Sequence, residues 1–172
     1  MLLIILSVVF LPTLFSYLKV TPLLNRIISS KVSKAYLNHS RCKTKEHIFT
    51  DLKTASLIKY SINTFLATKV IFFNEIFSIF KNVDSGDSWE QITTAISIDA
   101  RIGDSHMDVP GHDGKLGFGG ACLPKDSNAI YEYGIEIGVN LDLIKKIIIL
   151  NNSIRKKYDS DDREKIQNIS YD

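Results

Sequence analysis

Two cysteines, Cys42 and Cys122, are all that the 172 residues contain, and one pair gives no disulfide framework, so a reducing compartment is expected. Charge of one sign is also scarce. A formal net charge of +2 lacks the clustered basic excess of a nucleic-acid-binding surface, and no nucleic-acid partner is expected. No internal repeat is visible, and no G-x-G-x-x-G occurs in the chain. The nearest pattern, Gly117-Phe118-Gly119-Gly120, follows a loop and lacks the strand and spacing of a dinucleotide-binding turn. What is present is a composition of 45% hydrophobic and 23% charged residues, which excludes wholesale disorder. The length suits one domain or a piece of something larger, and is too short for two full domains.

Residues 1–18 form an uncharged apolar run of about bilayer-spanning length, interrupted by Pro12. No positive residue precedes Leu2, as a secretory signal would require. The N-x-S triplets at Asn38, Asn151 and Asn168 are expected by chance in a chain rich in Asn and Ser. The run reads best as a buried strand or helix, the remnant of a domain whose beginning is missing; membrane-bound and translation-artefact readings stay open. A membrane partner is not expected, and the expected location is cytoplasmic.

A polar, basic connector without a clear period follows from Lys31 to His47, and Ile48-Phe49-Thr50 reads as a strand end. Asp51 is placed to cap a helix. Ala55, Ile58, Ile62, Phe65, Leu66, Phe73, Ile76, Phe77 and Phe80 recur at helical steps on one face. No Pro or Gly interrupts Leu52 to Val83, and Asp84-Ser85-Gly86 ends the helix. About thirty helical residues reach about 45 Å, more than one small core needs, which points to packing against a partner subunit. Ser88, with Gln91 in the capping-box position, starts a short amphipathic helix to Ile98. Asp99 to Gly120 is an irregular loop, long enough to carry function. Pro124 suits the first turn of a helix through about Ile137, a last helix runs from about Leu141 to Lys157, and the tail from Asp159 to Asp172 is expected to fray.

Cys122 precedes Pro124 by two residues and so lies at a helix N-terminus, where unpaired N–H groups favour an anion and a thiol's thiolate. Gly117, Gly119 and Gly120 let the backbone approach a ligand closely. Asp126 follows one turn on, giving a nucleophile with an acid or base nearby. The same residues also fit a structural thiol, since free Cys packs as a small hydrophobe. His106, Asp108, His112 and Asp113 invite a metal reading; they form no strict ligand motif, and no metal is expected.

DARIGDSHMDVPGHDGKLGFGGACLPKD, from Asp99 to Asp126, resembles the substrate loop and catalytic-cysteine motif of the UDP-glucose/GDP-mannose dehydrogenase family, and TDLKTASLIKYSINTFLATKVIFFNEI, from Thr50 to Ile76, resembles its long central helix. The resemblance covers roughly Thr50 to Lys157. It implies a mainly α fold with a long dimerisation helix, shorter helices and a glycine-rich substrate loop, lacking an intact Rossmann domain. The implied organisation is 1–49 as apolar run and connector, 50–157 as central dimerisation and substrate domain, and 158–172 as polar tail.

The implied chemistry is NAD-dependent, two-step oxidation of UDP-glucose to UDP-glucuronate, in nucleotide-sugar metabolism and polysaccharide biosynthesis. Cys122 matches the nucleophile that attacks the intermediate aldehyde to give a thiohemiacetal; hydride loss then leaves a thioester for hydrolysis. Lys59 and Asn63 match the oxyanion-stabilising pair, and their four-residue spacing puts an ammonium and an amide on one helix face. Asp126 matches the aspartate that activates or positions water. Arg101 matches a substrate-binding arginine that reaches across the dimer interface, while His106, Met107, Phe118 and Gly119 match the substrate loop. Lys125 is expected to be a cofactor-binding residue.

On the residues alone Lys59 and Asn63 also fit solvated positions, and Arg101 a partner of Asp99 or Asp104. His112, Ala121 and Leu123 stand where proline, serine and phenylalanine are common in the family, and none of these departures removes a reacting group. Two readings follow. One is a truncated dehydrogenase, inactive alone and completed by a separate NAD-binding chain; the other is a non-catalytic dimerisation or sugar-nucleotide-binding module. In both, the partners implied are a second copy through residues 52–83 and a UDP-sugar.

Overall fold

A computed structural model describes residues 50–171 together with residues 30, 31, 34, 35, 38 and 48. The apolar run 1–18 and Cys42 lie outside the described residues. From residue 50 onward the helices are α1 (Leu52–Phe80), α2 (Trp89–Ser97), α3 (Leu123–Glu136), α4 (Asp142–Arg155) and α5 (Asp162–Ile166), and no strand occurs among the described residues. The mainly α expectation, including the long helix, holds. The chain divides into two compact units, residues 1–59 and residues 60–172.

In the first unit Asp51 caps α1: its Oδ1 accepts from the Lys53 and Thr54 amides at 2.9 and 3.0 Å, and its Oδ2 from the Thr54 hydroxyl at 2.8 Å. These bonds, the Thr54 amide foremost, hold the Asp51 carboxyl below its ordinary range. Two expectations fail here. Ser30, Lys31, Lys34, Ala35 and Asn38 are helical, although the segment reads as an aperiodic connector; Lys and Ala are strong helix formers and need no apolar period. Ile48 and Thr50 are irregular rather than a strand end, and no described strand is there to pair with them.

The second unit holds two apolar clusters. Ala67 and Ile71 of α1 meet Phe118 and Ile147, with Leu123, Leu150 and Ile154 against them. Further along α1, Phe73 packs with Met107 and Val109, and Trp89 closes the cluster while donating its indole N–H to the Met107 carbonyl at 3.2 Å. The buried arc of α1 differs from the one its apolar spacing marks: Ile62 and Phe65 are 40% and 65% exposed, whereas Thr64, Lys69 and Asn74 are buried. The reason is chemical. Lys69 Nζ donates to the carbonyls of Ile102 and Gly103 at 3.0 and 3.2 Å, and Asn74 Oδ1 accepts from the Gly117 amide at 3.0 Å. Polar heads thus hold the loop 99–121 against the helix, and hydrophobicity does not mark that arc. Burial lowers the Lys69 pKa, with Asp104 partly opposing.

Helix ends follow their residue types. α1 stops at Phe80, three residues before its expected end, in a turn where Asn82 donates to the Ser78 carbonyl at 2.8 Å. Ser88 and Gln91 form the expected capping box of α2. α3 closes on Gly138 (φ 72°): Gly138 N–H bonds to Ile135 O and Val139 N–H to Gly134 O, the paired bonds that a left-handed glycine permits. The tail is a correction. It is not frayed: Asp161 and Glu164 form the capping box of α5, Glu164 is 0% exposed, and Tyr171 is buried.

Candidate active site

Cys122 occupies the N-cap of α3 with φ −96° and ψ −56°, its side chain makes no capping bond, and the residue is exposed. Its carbonyl accepts the first helical bond, from the Asp126 amide at 2.9 Å. That turn brings Asp126 beneath the thiol's end of the helix with Pro124 inside the first turn. Asp126 is fully buried, and its carboxylate accepts from Asn63 Nδ2 at 2.5 Å and from Lys125 Nζ at 2.5 Å. The bond to Asp126 raises the Lys125 pKa against the opposing effect of burial, with smaller contributions from Asp126's charge, Tyr60 and Cys122. One patch of the second unit therefore joins Asn63 of α1 to Lys125 and Asp126 at the start of α3. Lys59 lies one turn ahead of Asn63 on the same helix.

The other sequence-identified residues are placed apart from this patch in their contacts. Arg101 is exposed and doubly bonded to Asp99, Nε to Oδ1 at 2.9 Å and Nη2 to Oδ2 at 2.5 Å. That contact raises the Arg101 pKa and lowers that of Asp99. His106 is exposed overall, with φ 62°; partial desolvation of its ring first, then Lys69 and His112, lower its pKa against the opposing charge of Asp108. Met107 and Phe118 are 3% exposed and pack in the two cores. His112 lies 3.6 Å from Asp108, and no group of three or more His, Cys, Asp or Glu side chains poised for a metal occurs among the described residues.

Sequence reasoning missed the residues that hold the glycine loop. Asn151 accepts from the Phe118 amide at 2.7 Å and donates to its carbonyl at 3.0 Å. Glu164 Oε1 accepts from the Gly120 amide at 3.0 Å, from Arg155 Nη2 at 2.7 Å and from the Tyr171 hydroxyl at 2.7 Å, and Arg155 Nη1 reaches Asp113 at 2.8 Å. A Cβ on Gly117 would sit 2.6 Å from Asn151 Oδ1, and one on Gly119 would strike the Arg155 guanidinium and lie 2.5 Å from Glu164 Oε1. The α-carbons of both glycines are thus turned onto protein. The described residues present no strand-turn-helix cradle, and these two glycines face Asn151, Arg155 and Glu164, so among the described residues the glycine segment does not fit a dinucleotide such as NAD. The one readable signal was the Asp161-x-x-Glu164 capping box.

Comparison with known proteins places the motif in its family. The chain is 36% identical over 104 residues to UDP-glucose 6-dehydrogenase YwqF of Bacillus subtilis, covering 60% of this chain and 22% of that protein. It is 35% identical over 108 residues to UDP-glucose 6-dehydrogenase TuaD of the same organism, covering 63% and 22%. To the UDP-glucose 6-dehydrogenase of Rhizobium meliloti it is 32% identical over 121 residues, covering 70% and 25%. The chain therefore spans about a quarter or less of the length of these relatives. The family model for the central domain of the UDP-glucose/GDP-mannose dehydrogenases matches residues 53–153, a span that carries Asn63, Cys122 and Asp126 together, and the chain belongs to that family.

Proposed function

We propose that this chain is the central, substrate-side domain of a nucleotide-sugar dehydrogenase in which Cys122 captures a sugar 6-aldehyde. The observation that carries this reading is the exposed thiol at the start of α3, one turn before a buried Asp126 that is bonded to Asn63 and Lys125. Capture is an addition: Sγ forms a bond to the aldehyde carbon, the carbonyl π pair moves to oxygen, and the thiol's proton ends on that oxygen. Lys59 and Asn63, on one helix face, stabilise the oxyanion as it forms, because fixed donors aimed at developing charge lower the barrier. Asp126 holds Asn63 in place and later positions water. Arg101 reaches substrate from a partner copy. His106, Met107, Phe118 and Gly119 shape the substrate loop, the buried pair through its backbone. NAD would supply the hydride acceptor in such a dehydrogenase; the glycine segment among the described residues does not fit it, so that step belongs to another part of the protein or to a separate chain. On this reading the 172 residues alone yield no NADH from UDP-glucose.

The same proposal includes a homodimer through α1. Ile62, Phe65, Phe72 and Ile79 of α1 are 40–65% exposed and fall within an arc of about 100° at 100° per residue. An apolar stripe this long marks an interaction surface. Helix α1 is also long and apolar enough to cross a bilayer by length and composition. Its tertiary bonds through Lys69 and Asn74 support instead a helix packed within a folded domain.

The test is to add the 6-aldehyde of UDP-glucose, labelled with carbon-13 at the aldehyde carbon, to the full chain. The label should move from the aldehyde hydrate to a hemithioacetal resonance, and Cys122→Ser should abolish the new signal while Cys42→Ser leaves it. An unchanged spectrum with the wild-type chain refutes the reading.

A further inference from the structure

Outside the reacting patch, the described residues hold a buried polar assembly bonded to the glycine loop. Glu164 is 0% and Arg155 is 1% exposed. Both carboxylate oxygens of Glu164 are engaged: Oε1 by Gly120, Arg155 and Tyr171, and Oε2 by the Asp161 amide at 2.9 Å. Such an assembly is costly to desolvate, and its bonds offset that cost, although Arg155 Nε is buried without a partner. All three of its principal residues lie beyond the family's matched span of 53–153.

What the assembly touches is specific. Gly120, the residue whose amide Glu164 holds, has φ 76° and stands two residues before Cys122. Two residues further back, Phe118 is held at both its amide and its carbonyl by Asn151, and Gly117 is held by Asn74. Every one of these bonds fixes backbone. The thiol has no capping bond of its own, so its location depends on where this segment delivers the start of α3.

The geometry points to Glu164, Arg155 and Tyr171 as positioning residues for Cys122: a clasp from α4 and the tail that sets the direction from which the thiol meets its electrophile. The inference rests on the reading of Cys122 as the capturing nucleophile. In chemical terms, capture of a bound aldehyde needs the sulfur within a narrow range of distance and angle, and a displacement of about 1 Å can cost about a hundredfold. Alkylation by a small diffusing reagent needs only an exposed thiol. A residue that positions the thiol therefore affects the first and spares the second, while a residue that merely keeps the chain folded affects both or neither.

The experiment uses the full chain carrying Cys42→Ser, with Glu164→Gln and Tyr171→Phe as variants and Ser88→Ala as a control at the unrelated cap of α2. Tyr171→Phe removes one hydroxyl and leaves the Arg155–Glu164 pair in place, so it decides the matter if Glu164→Gln does not fold. Three quantities are read: the carbon-13 β resonance of Cys122, alkylation of Cys122 by iodoacetamide, and capture of the UDP-glucose 6-aldehyde. In the folded clasp variants the Cys122 resonance should move or split and aldehyde capture should weaken by at least about tenfold, with alkylation little changed. In Ser88→Ala all three should match the parent. A Cys122 resonance and aldehyde capture both unchanged in folded Tyr171→Phe would overturn the clasp. Should the parent itself fail to capture the aldehyde, the nucleophile reading falls, and the Cys122 resonance still decides whether the clasp sets the thiol's place.

Discussion

The two flanks of the segment 117–126 are built differently. On one flank Asn151, Arg155 and Glu164 are each at most 1% exposed, and Glu164 accepts four hydrogen bonds. On the other flank Cys122 is exposed and uncapped, and the Lys125 side chain is 41% exposed. The first flank is densely bonded, with Arg155 Nε alone left unpaired among its charged groups, and the second has an accessible ammonium and a thiol. The contrast separates two demands on the loop: holding favours paired polar groups, because an unpaired buried one is expensive, whereas the proposed capture needs groups that solvent and substrate reach. Asp126 belongs to both, buried like the first flank and joined to Asn63 and Lys125 of the second.

The largest effect should come from breaking the densely bonded flank at its centre. Glu164→Ala leaves Arg155 buried with one of its two carboxylate partners gone, and removing one partner of a buried pair costs about 3–5 kcal/mol; urea unfolding should read that loss. The same carboxylate gives a pH signature. Burial alone would push the Glu164 pKa up, but the Tyr171 hydroxyl, the Gly120 and Asp161 amides and Arg155 outweigh it and hold the carboxyl below its ordinary value of 4.5. A depressed folded pKa means the stabilisation is present above that ordinary value and is lost as pH falls through the folded one. Arg155, Arg163, Asp113, Asp161 and Tyr171 surround the group, and the arginines stay charged throughout. Tyr171 acts at the other end: its raised pKa means its contribution is complete below the ordinary tyrosine value and fades at alkaline pH. Stability followed against pH should thus fall at both extremes, with a shallower acid limb in Glu164→Gln; an unaltered acid limb would remove Glu164 from the account.

A smaller effect should follow from crowding the same flank without touching its charges. Gly119 has no positive φ, so a methyl group there is opposed by sterics alone, with Arg155 and Glu164 in its way. Gly119→Ala should cost about 1–3 kcal/mol, as overpacking does. Gly86→Ala is the matched control, because a Cβ there meets nothing within 4 Å, and it should be neutral or stabilise by about 0.4–1 kcal/mol through the unfolded chain. Equal responses at the two glycines would mean that the clasp yields to an added methyl.

The helix starts on the exposed flank were largely legible in the sequence and the holding flank was not. Cys122, Pro124 and Asp126 announce a helix start by residue type and spacing, and the caps at Asp51 and Ser88 are local signals of the same kind. The long helix follows from an uninterrupted period. The clasp depends instead on tertiary contacts: Arg155 meets Asp113, 42 residues away, and Glu164 meets Gly120, 44 residues away. A charged tail reads as solvated until its partners are known, so 159–171 looked frayed and is buried at Glu164 and Tyr171. For the same reason the apolar spacing of α1 marked Ile62 and Phe65, which lie on its outward stripe, while the polar Lys69 and Asn74 do the inward holding.

The smallest effect on stability should come from Cys122 itself. Serine is a strong N-cap residue where the backbone is extended, since its hydroxyl then reaches the free amides of the first turn. At φ −96° and ψ −56° Cys122 is not in that conformation, so Cys122→Ser gains no cap, and it loses little, because the residue is exposed and its side chain makes no capping bond. The urea midpoint should therefore match the parent to within about 0.5 kcal/mol, the range of an ordinary surface change, while aldehyde capture disappears. A loss well beyond that range would assign the sulfur to the holding flank as a packed residue, and the division between the two sides of the loop would fail at its most reactive atom.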